Sequence, residues 1–257
     1  AGDALTDSDN NTAVGYNALS SEILGFNSTA IGRGALQASS FSTATDTSNT
    51  AVGQLAGAGS TTGAGNTFIG HIAGYGGTTA TRLTTGVRNT IIGAYASVNA
   101  VSANDAQVLG NAVSGAGGFT TVGQGTADIR AENGVATWAT VSDSRYKKDI
   151  ADSTAGLSFI NALTPRTFKY RTLGELPETF YAYKADSTEV FKNSDTNHGF
   201  IAQEVKTAID AHSELKDGFR LWAERDDGGQ EVAEAALIPI LVKAIQELTA
   251  RIAVLEG

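Results

Sequence analysis

Asn11-Thr12-Ala13-Val14-Gly15 returns along the chain as Ser28-Thr29-Ala30-Ile31-Gly32, Asn49-Thr50-Ala51-Val52-Gly53, Asn66-Thr67-Phe68-Ile69-Gly70 and Asn89-Thr90-Ile91-Ile92-Gly93. Weaker copies, Gln107-Val108-Leu109-Gly110 and Thr120-Thr121-Val122-Gly123, extend the series, and the glycines fall 17, 21, 17, 23, 17 and 13 residues apart. A Thr-x-β-branched-Gly unit predicts a strand of about four residues, with the glycine permitting the sharp turn that ends it. One such strand cannot bury its apolar face alone, so successive copies must stack. The spacers are rich in Gly, Ser, Thr and Asn, the residues of turns and surface loops. Few large apolar residues occur per repeat, so a single chain has a thin core and side-by-side association of identical chains is the natural remedy. The expectation for residues 1–141 is a Gly-rich, all-β repeat stem: an elongated, oligomeric β-solenoid or β-roll.

Composition sets this stretch apart from the remainder of the chain. Of 257 residues, 1–141 hold 23 of the 30 glycines, four Arg, no Lys and eight Asp or Glu. Residues 142–257 hold 14 Lys or Arg and 19 Asp or Glu, so two domains are expected to meet near residue 141. No run approaches the ~18–20 apolar residues of a membrane span, and no basic segment leads an apolar one as in a signal peptide. An acidic chain, net −9, whose first half lacks lysine has no footprint for nucleic acid. There is no Cys for disulfides or thiolate ligands, and this leaves the compartment open. Neither Asp7-Ser8-Asp9 nor Asp226-Asp227 sits in a complete calcium loop, so no metal and no cofactor is expected. The absence of Met leads us to expect a processed or incomplete piece of a longer protein.

The boundary reads Ser142-Asp143-Ser144-Arg145-Tyr146-Lys147-Lys148-Asp149-Ile150. A serine hydroxyl becomes a nucleophile only when a base removes its proton, and lysine serves as that base in Ser-Lys sites. A lysine, ordinarily with a pKa near ~10.4, can do so only after burial or a neighbouring cation brings it down. Arg145 and Lys148 are candidates for the second effect. Ser142 and Lys147 stand five apart, off one face of a straight helix. A turn or bend after Ser142 would bring them together. The histidines His71, His198 and His212 are scattered and offer no Ser-His-acid layout.

Further along come Leu157-Ser158-Phe159-Ile160-Asn161-Ala162-Leu163-Thr164-Pro165, Thr167-Phe168-Lys169-Tyr170 and His198-Gly199-Phe200-Ile201-Ala202-Gln203-Glu204-Val205. With the boundary string, matched at Ser142, Asp143, Arg145, Lys147 and Ile150, this ordered set resembles the intramolecular chaperone domain of phage tail spikes and tail fibres, classed as peptidase family S74. The repeats before it resemble those of trimeric adhesin heads and phage fibre shafts. The resemblance implies a trimer in which the chaperone domain, 142–257, aids assembly and then cuts its own backbone, in a single turnover, next to the serine. It makes Ser142 the nucleophile and Lys147 the base. The cleavage site would be Ser142–Asp143, with Val141–Ser142 the alternative, and His198 and Gln203 or Glu204 would orient or polarise the site. It places the protein in a virion fibre or on an extracellular surface, with a host-surface glycan or protein as receptor. A cellular adhesin or filament that keeps an uncleaved chaperone-like tip is the competing reading. A glycosidase is disfavoured, since the eight acidic residues of the first part are scattered.

The rest of the second domain reads as α+β: helices at 154–163 and 200–211, strands at 166–171, 180–183 and 219–223, and a turn at Asp226–Gly229. In the tail, Ile238, Leu241, Ile245, Leu248, Ile252 and Leu255 are spaced 3, 4, 3, 4, 3, a coiled-coil seam over about 238–256. Pro239 either begins this helix or kinks a longer one. Ile at a with Leu at d favours two strands in simple parallel coils, whereas the resemblance implies three.

Overall fold

The computed structural model describes residues 1–76, 82–215 and 219–256. It divides into two compact units, Ala1–Lys147 and Lys148–Gly257.

The first unit is a β-solenoid of about six turns. Its strands are β1 (Thr12–Val14), β2 (Gly25–Phe26), β3 (Thr29–Ile31), β4 (Thr45–Asp46), β5 (Thr50–Val52), β6 (Thr67–Ile69), β7 (Thr90–Ile92), β8 (Ser97–Val98), β9 (Gln107–Asn111), β10 (Ser114–Gly115), β11 (Phe119–Gln124) and β12 (Ala127–Glu132). Every Thr-x-β-branched repeat of the sequence is a rung of one sheet, ordered β1-β3-β5-β6-β7-β9-β11-β12. The rungs pair in parallel without slippage, Val14 with Ile31, Ile31 with Val52, Val52 with Ile69, Ile69 with Ile92, Ile92 with Leu109 and Leu109 with Val122. The pairs β2–β4 and β8–β10 form small second sheets.

Strand alternation decides what each residue does. The middle residue of the rung faces inward, so Ala30, Ala51, Phe68, Ile91 and Val108 are buried, while Val14, Ile31, Val52, Ile69 and Leu109 stay 37–56% exposed. Side-chain volume is balanced between columns. Leu19 and Leu36 fill the core where the rung residue is alanine. Gly57 and Gly74, at the matching places, leave room for the Phe68 ring, which an added Cβ at either would strike. The glycine ending each rung from Gly15 to Gly110 is obligatory twice over. Gly32 has φ 130, and a Cβ there would meet the carbonyl of Gly53 in the next turn.

The asparagine that opens the repeat lies just before the strand, yet at 49, 66 and 89 it is not on the surface. Asn49, Asn66 and Asn89 are buried and form an internal ladder. The Asn49 Oδ1 accepts from the backbone N–H of Asn66 (2.9 Å), Asn66 Oδ1 from that of Asn89 (2.9 Å), and Asn89 Oδ1 from that of Ala106 (2.9 Å). Each Nδ2 in turn donates to a spacer carbonyl: Gly63, Gly86 and Ala103 at 2.7, 2.9 and 2.7 Å. The carboxamide thus satisfies one donor and one acceptor of a buried backbone that no ladder bond reaches.

The solenoid ends differently from the way it runs. Strand β12 pairs antiparallel with β11, and Ala139 then bridges back to Arg130.

The second unit contains α1 (Leu157–Ala162), β13 (Arg166–Phe168), β14 (Asn197–Gly199), α2 (Ala202–Asp210), β15 (Trp222–Glu224), β16 (Gln230–Val232) and α3 (Ile238–Glu256). Strands β13–β14 and β15–β16 are antiparallel pairs. Its core gathers Phe159, Val205, Ile209, Leu221, Leu237 and Ile240. Residues 180–183, expected as a strand, are turns: Phe180 N–H bonds Pro177 O and Tyr183 N–H bonds Phe180 O. The expected 219–223 strand lies instead at β15. Pro239 stands in the first turn of α3, where its missing N–H costs nothing. That helix packs through Ile240 and Ala244, beside Leu237 just before it, and Glu247 caps α1 by accepting from Leu157 N–H at 2.9 Å. The Ile/Leu seam is a separate face. Ile238, Leu241, Ile245, Leu248, Ile252 and Leu255 are all exposed, by 41–85%.

Candidate functional site

Just past Ala139, the last bridged position of the first unit, Lys147 Nζ lies 2.9 Å from Ser142 Oγ. The backbone makes this possible by a 3-10 turn, Ser144–Tyr146, in which Tyr146 N–H bonds Asp143 O (3.1 Å) and Lys147 N–H bonds Ser144 O (3.0 Å). Flanking residues Asp143 and Lys147 are extended, so the chain doubles back and the lysine stem folds over the serine.

Asp143 holds the start of the turn through both its backbone carbonyl and its carboxylate. Its carboxylate accepts from Arg145 N–H at 2.9 Å and from Arg145 Nε and Nη2 at 3.0 and 2.6 Å. The guanidinium hydrogen bonds, with the backbone one, keep the Asp143 carboxyl below its ordinary range. Arg145 is therefore engaged with a carboxylate and is not a free cation beside Lys147. The whole stretch 141–150 is exposed in the single chain, Ile150 by 71% and Tyr146 by 79%. Among the described residues, none withdraws the exposed Lys147 side chain from water.

The other candidates belong to the second unit. His198 is exposed on β14, opposite Thr167 of β13. Gln203 and Glu204 lie in the first turn of α2. Glu204 is committed to structure: Arg166 Nη2 and Nε donate to its two oxygens at 2.7 and 3.0 Å, tying β13 to α2 and holding its carboxyl below the usual range. His198 and Gln203 line an open cleft of about 750 Å³ with Phe168, Tyr170, Tyr181 and Phe200. Between Phe159 and Val205 no residue is fully buried, which is why this aromatic group stays half-open. Among the described residues no cluster of three or more His, Asp or Glu could hold a metal ion, and no helix is long and apolar enough to cross a membrane.

The clamp by Asp143 was the part sequence reasoning missed. Its signal was present as an Asp two residues before an Arg at the start of a short turn, the usual position of a capping carboxylate.

Residues 142–214 match the family model Peptidase_S74, described as the chaperone of endosialidase. No curated protein and no solved structure matches the chain. The matched segment begins at the serine of the Ser142–Lys147 pair. Residues 142–214 are thus similar to the Peptidase_S74 family, described as the chaperone of endosialidase, and follow a β-solenoid stem.

Proposed function

We propose that this chaperone domain brings three copies of the chain together, sets their stems in register, and then cuts the backbone beside Ser142. The observation that carries the reading is the 2.9 Å contact between Lys147 Nζ and Ser142 Oγ just beyond the end of the stem sheet. Lys147 takes the serine proton. Ser142 Oγ attacks either the Val141 carbonyl through a five-membered ring or, for the Ser142–Asp143 bond, the Ser142 carbonyl of a neighbouring chain in the assembly, and the amide nitrogen leaves with the proton. Water then hydrolyses the ester. Ser142–Asp143 is the leading bond and Val141–Ser142 the alternative. Strand β12 and the Ala139 bridge both lie upstream, so either cut leaves every hydrogen bond of the stem's own sheet on the stem side.

Two exposed apolar rows support self-association. One is the rung column Val14, Ile31, Val52, Ile69 and Leu109, and the other is the α3 seam. Burial of both in an assembly supplies the driving force that a thin single-chain core lacks. Assembly also supplies the dry surroundings a lysine base requires, so cleavage waits for correct packing. Once the helper is released, the stem persists by kinetic stability.

The domain is of a kind found in phage tails and extracellular proteins, and we place this chain in a virion fibre or on such a surface, with a host-surface glycan or protein as its receptor. The exposure of Ser142 and Lys147 favours a second reading, an adhesin or filament whose tip is retained uncleaved.

The test is denaturing electrophoresis with intact mass on wild type, Ser142→Ala and Lys147→Ala, together with native mass. Wild type should yield fragments meeting at Ser142, and both variants should stay whole while assembling normally. Intact wild type in a normal assembly would leave the retained tip. A monomer would remove both readings.

A further inference from the structure

We propose that Asp143 and Arg145 form a positioning clamp for the Ser142–Lys147 pair, with Arg145 acting only through Asp143 and the turn. This rests on the dyad reading of the proposed function. The geometry demands some such device. Residues five apart on a regular helix point about 140° away from each other, so helix formation would separate the serine from the lysine. The 3-10 turn that joins them has two backbone hydrogen bonds, lies in water, and would not persist alone. What it has in addition is one carboxylate gripping both the backbone and the guanidinium of the same residue. A bidentate arginine–carboxylate pair is directional, unlike a lysine pair, and fixes the plane of the Asp143 side chain. With Asp143 so fixed, the N-cap bond closes the turn and Lys147 leaves it pointed at Ser142.

The same clamp decides where charge sits. Arg145 spends its cation on Asp143, so the group at hydrogen-bond distance from the serine is the ammonium of Lys147. Arg145 lies two residues beyond the leading bond. Its variants therefore report on positioning separately from any direct effect of Asp143 on the bond that is cut.

The experiment follows cleavage over time in full chains of wild type, Asp143→Ala, Asp143→Asn, Arg145→Ala and Arg145→Lys, each checked for native mass. A displacement of about an ångström at a reacting pair costs up to ~100-fold in rate. Asp143→Ala and Arg145→Ala should accordingly slow cleavage by ~10–100-fold with assembly unchanged. Arg145→Lys, which keeps charge but loses the fork, should fall between, and millimolar guanidinium should partly restore Arg145→Ala. A second readout uses the uncleavable Ser142→Ala background. There, Arg145→Ala should speed hydrogen exchange at the Lys147 amide and raise the Asp143 carboxyl toward its ordinary range. Unchanged cleavage in Arg145→Ala, slowing only in step with lost assembly, or unchanged exchange would each overturn the clamp. Wild type that never cleaves, with the exchange and titration effects still seen for Arg145→Ala in the Ser142→Ala background, would overturn the dyad reading while the clamp stands as a structural turn.

Discussion

Removing one rung of the asparagine ladder should cost the stem far more than removing an asparagine from its surface. Asn66 is fully buried, and replacing it with alanine strips partners from two backbone groups with no route to water. The Asn89 N–H loses Asn66 Oδ1 at 2.9 Å, and the Gly86 carbonyl loses Asn66 Nδ2 at 2.9 Å. A third bond, Asn89 Nδ2 to Asn66 Oδ1 at 3.0 Å, also goes, but Asn89 Nδ2 keeps Ala103 O. Each orphaned buried group costs roughly 1–3 kcal/mol, so Asn66→Ala should destabilise the stem by about 2–6 kcal/mol. Against a total stability on the order of 5–15 kcal/mol this is a large fraction. The control is Asn99→Ala, an exposed position whose cost should stay within about 0.5 kcal/mol. Urea unfolding of the full chain, at one fixed concentration because association shifts apparent stability, compares the two. Equal effects at Asn66 and Asn99 would refute the ladder as a source of stability.

Other outcomes come from the same geometry. Gly93→Ala places a Cβ against the Gly110 carbonyl at φ 130 and should lose about 3 kcal/mol or more. Gly118→Ala, with open space and φ 75, should lose only about 1 kcal/mol, and thermal unfolding separates them. Ile245→Lys with Leu248→Lys alters exposed seam positions, so sedimentation should show weakened association with the circular dichroism of the second unit intact. Ala244→Lys, on the packed face, should unfold it instead. The Arg166–Glu204 pair gives a pH signature. The folded Glu204 carboxyl is lowered, so its contribution is present above the ordinary glutamate range and lost as pH falls through the lowered value. Arg166→Met should flatten that acid limb in a pH-dependent melting series.

The solenoid was legible because its signals are local and periodic. Thr-x-β-branched-Gly names strand, inward face and turn within five residues, and even the weak copies at Gln107 and Thr120 took their rungs. The role of asparagine was not legible, because a residue common in turns carries no mark of being buried between turns. Several corners were hidden for a related reason. Leu19, Leu36, Leu55 and Ile72 all hold positive φ, a conformation their side chains disfavour and the stacked turns impose. At the site, the five-residue spacing of Ser142 and Lys147 allowed contact only through a bend, and the capped turn that supplies it depends on Asp143. In the second unit the helices at 157–162 and 202–210 followed their apolar spacing. The aromatic run Phe180-Tyr181-Ala182-Tyr183 suggested a strand, but Pro177 and the tight hydrogen bonds after it make turns.

Self-association carries the central claim, since the proposed register setting and the proposed burial of the lysine both depend on it. Sedimentation equilibrium of the full-length Ser142→Ala chain, in which cleavage cannot confuse the mass, tests it most directly. The account predicts the mass of three chains, reduced when Val52 and Ile69 of the exposed rung column are changed to lysine. A single-chain mass at micromolar concentration would contradict it.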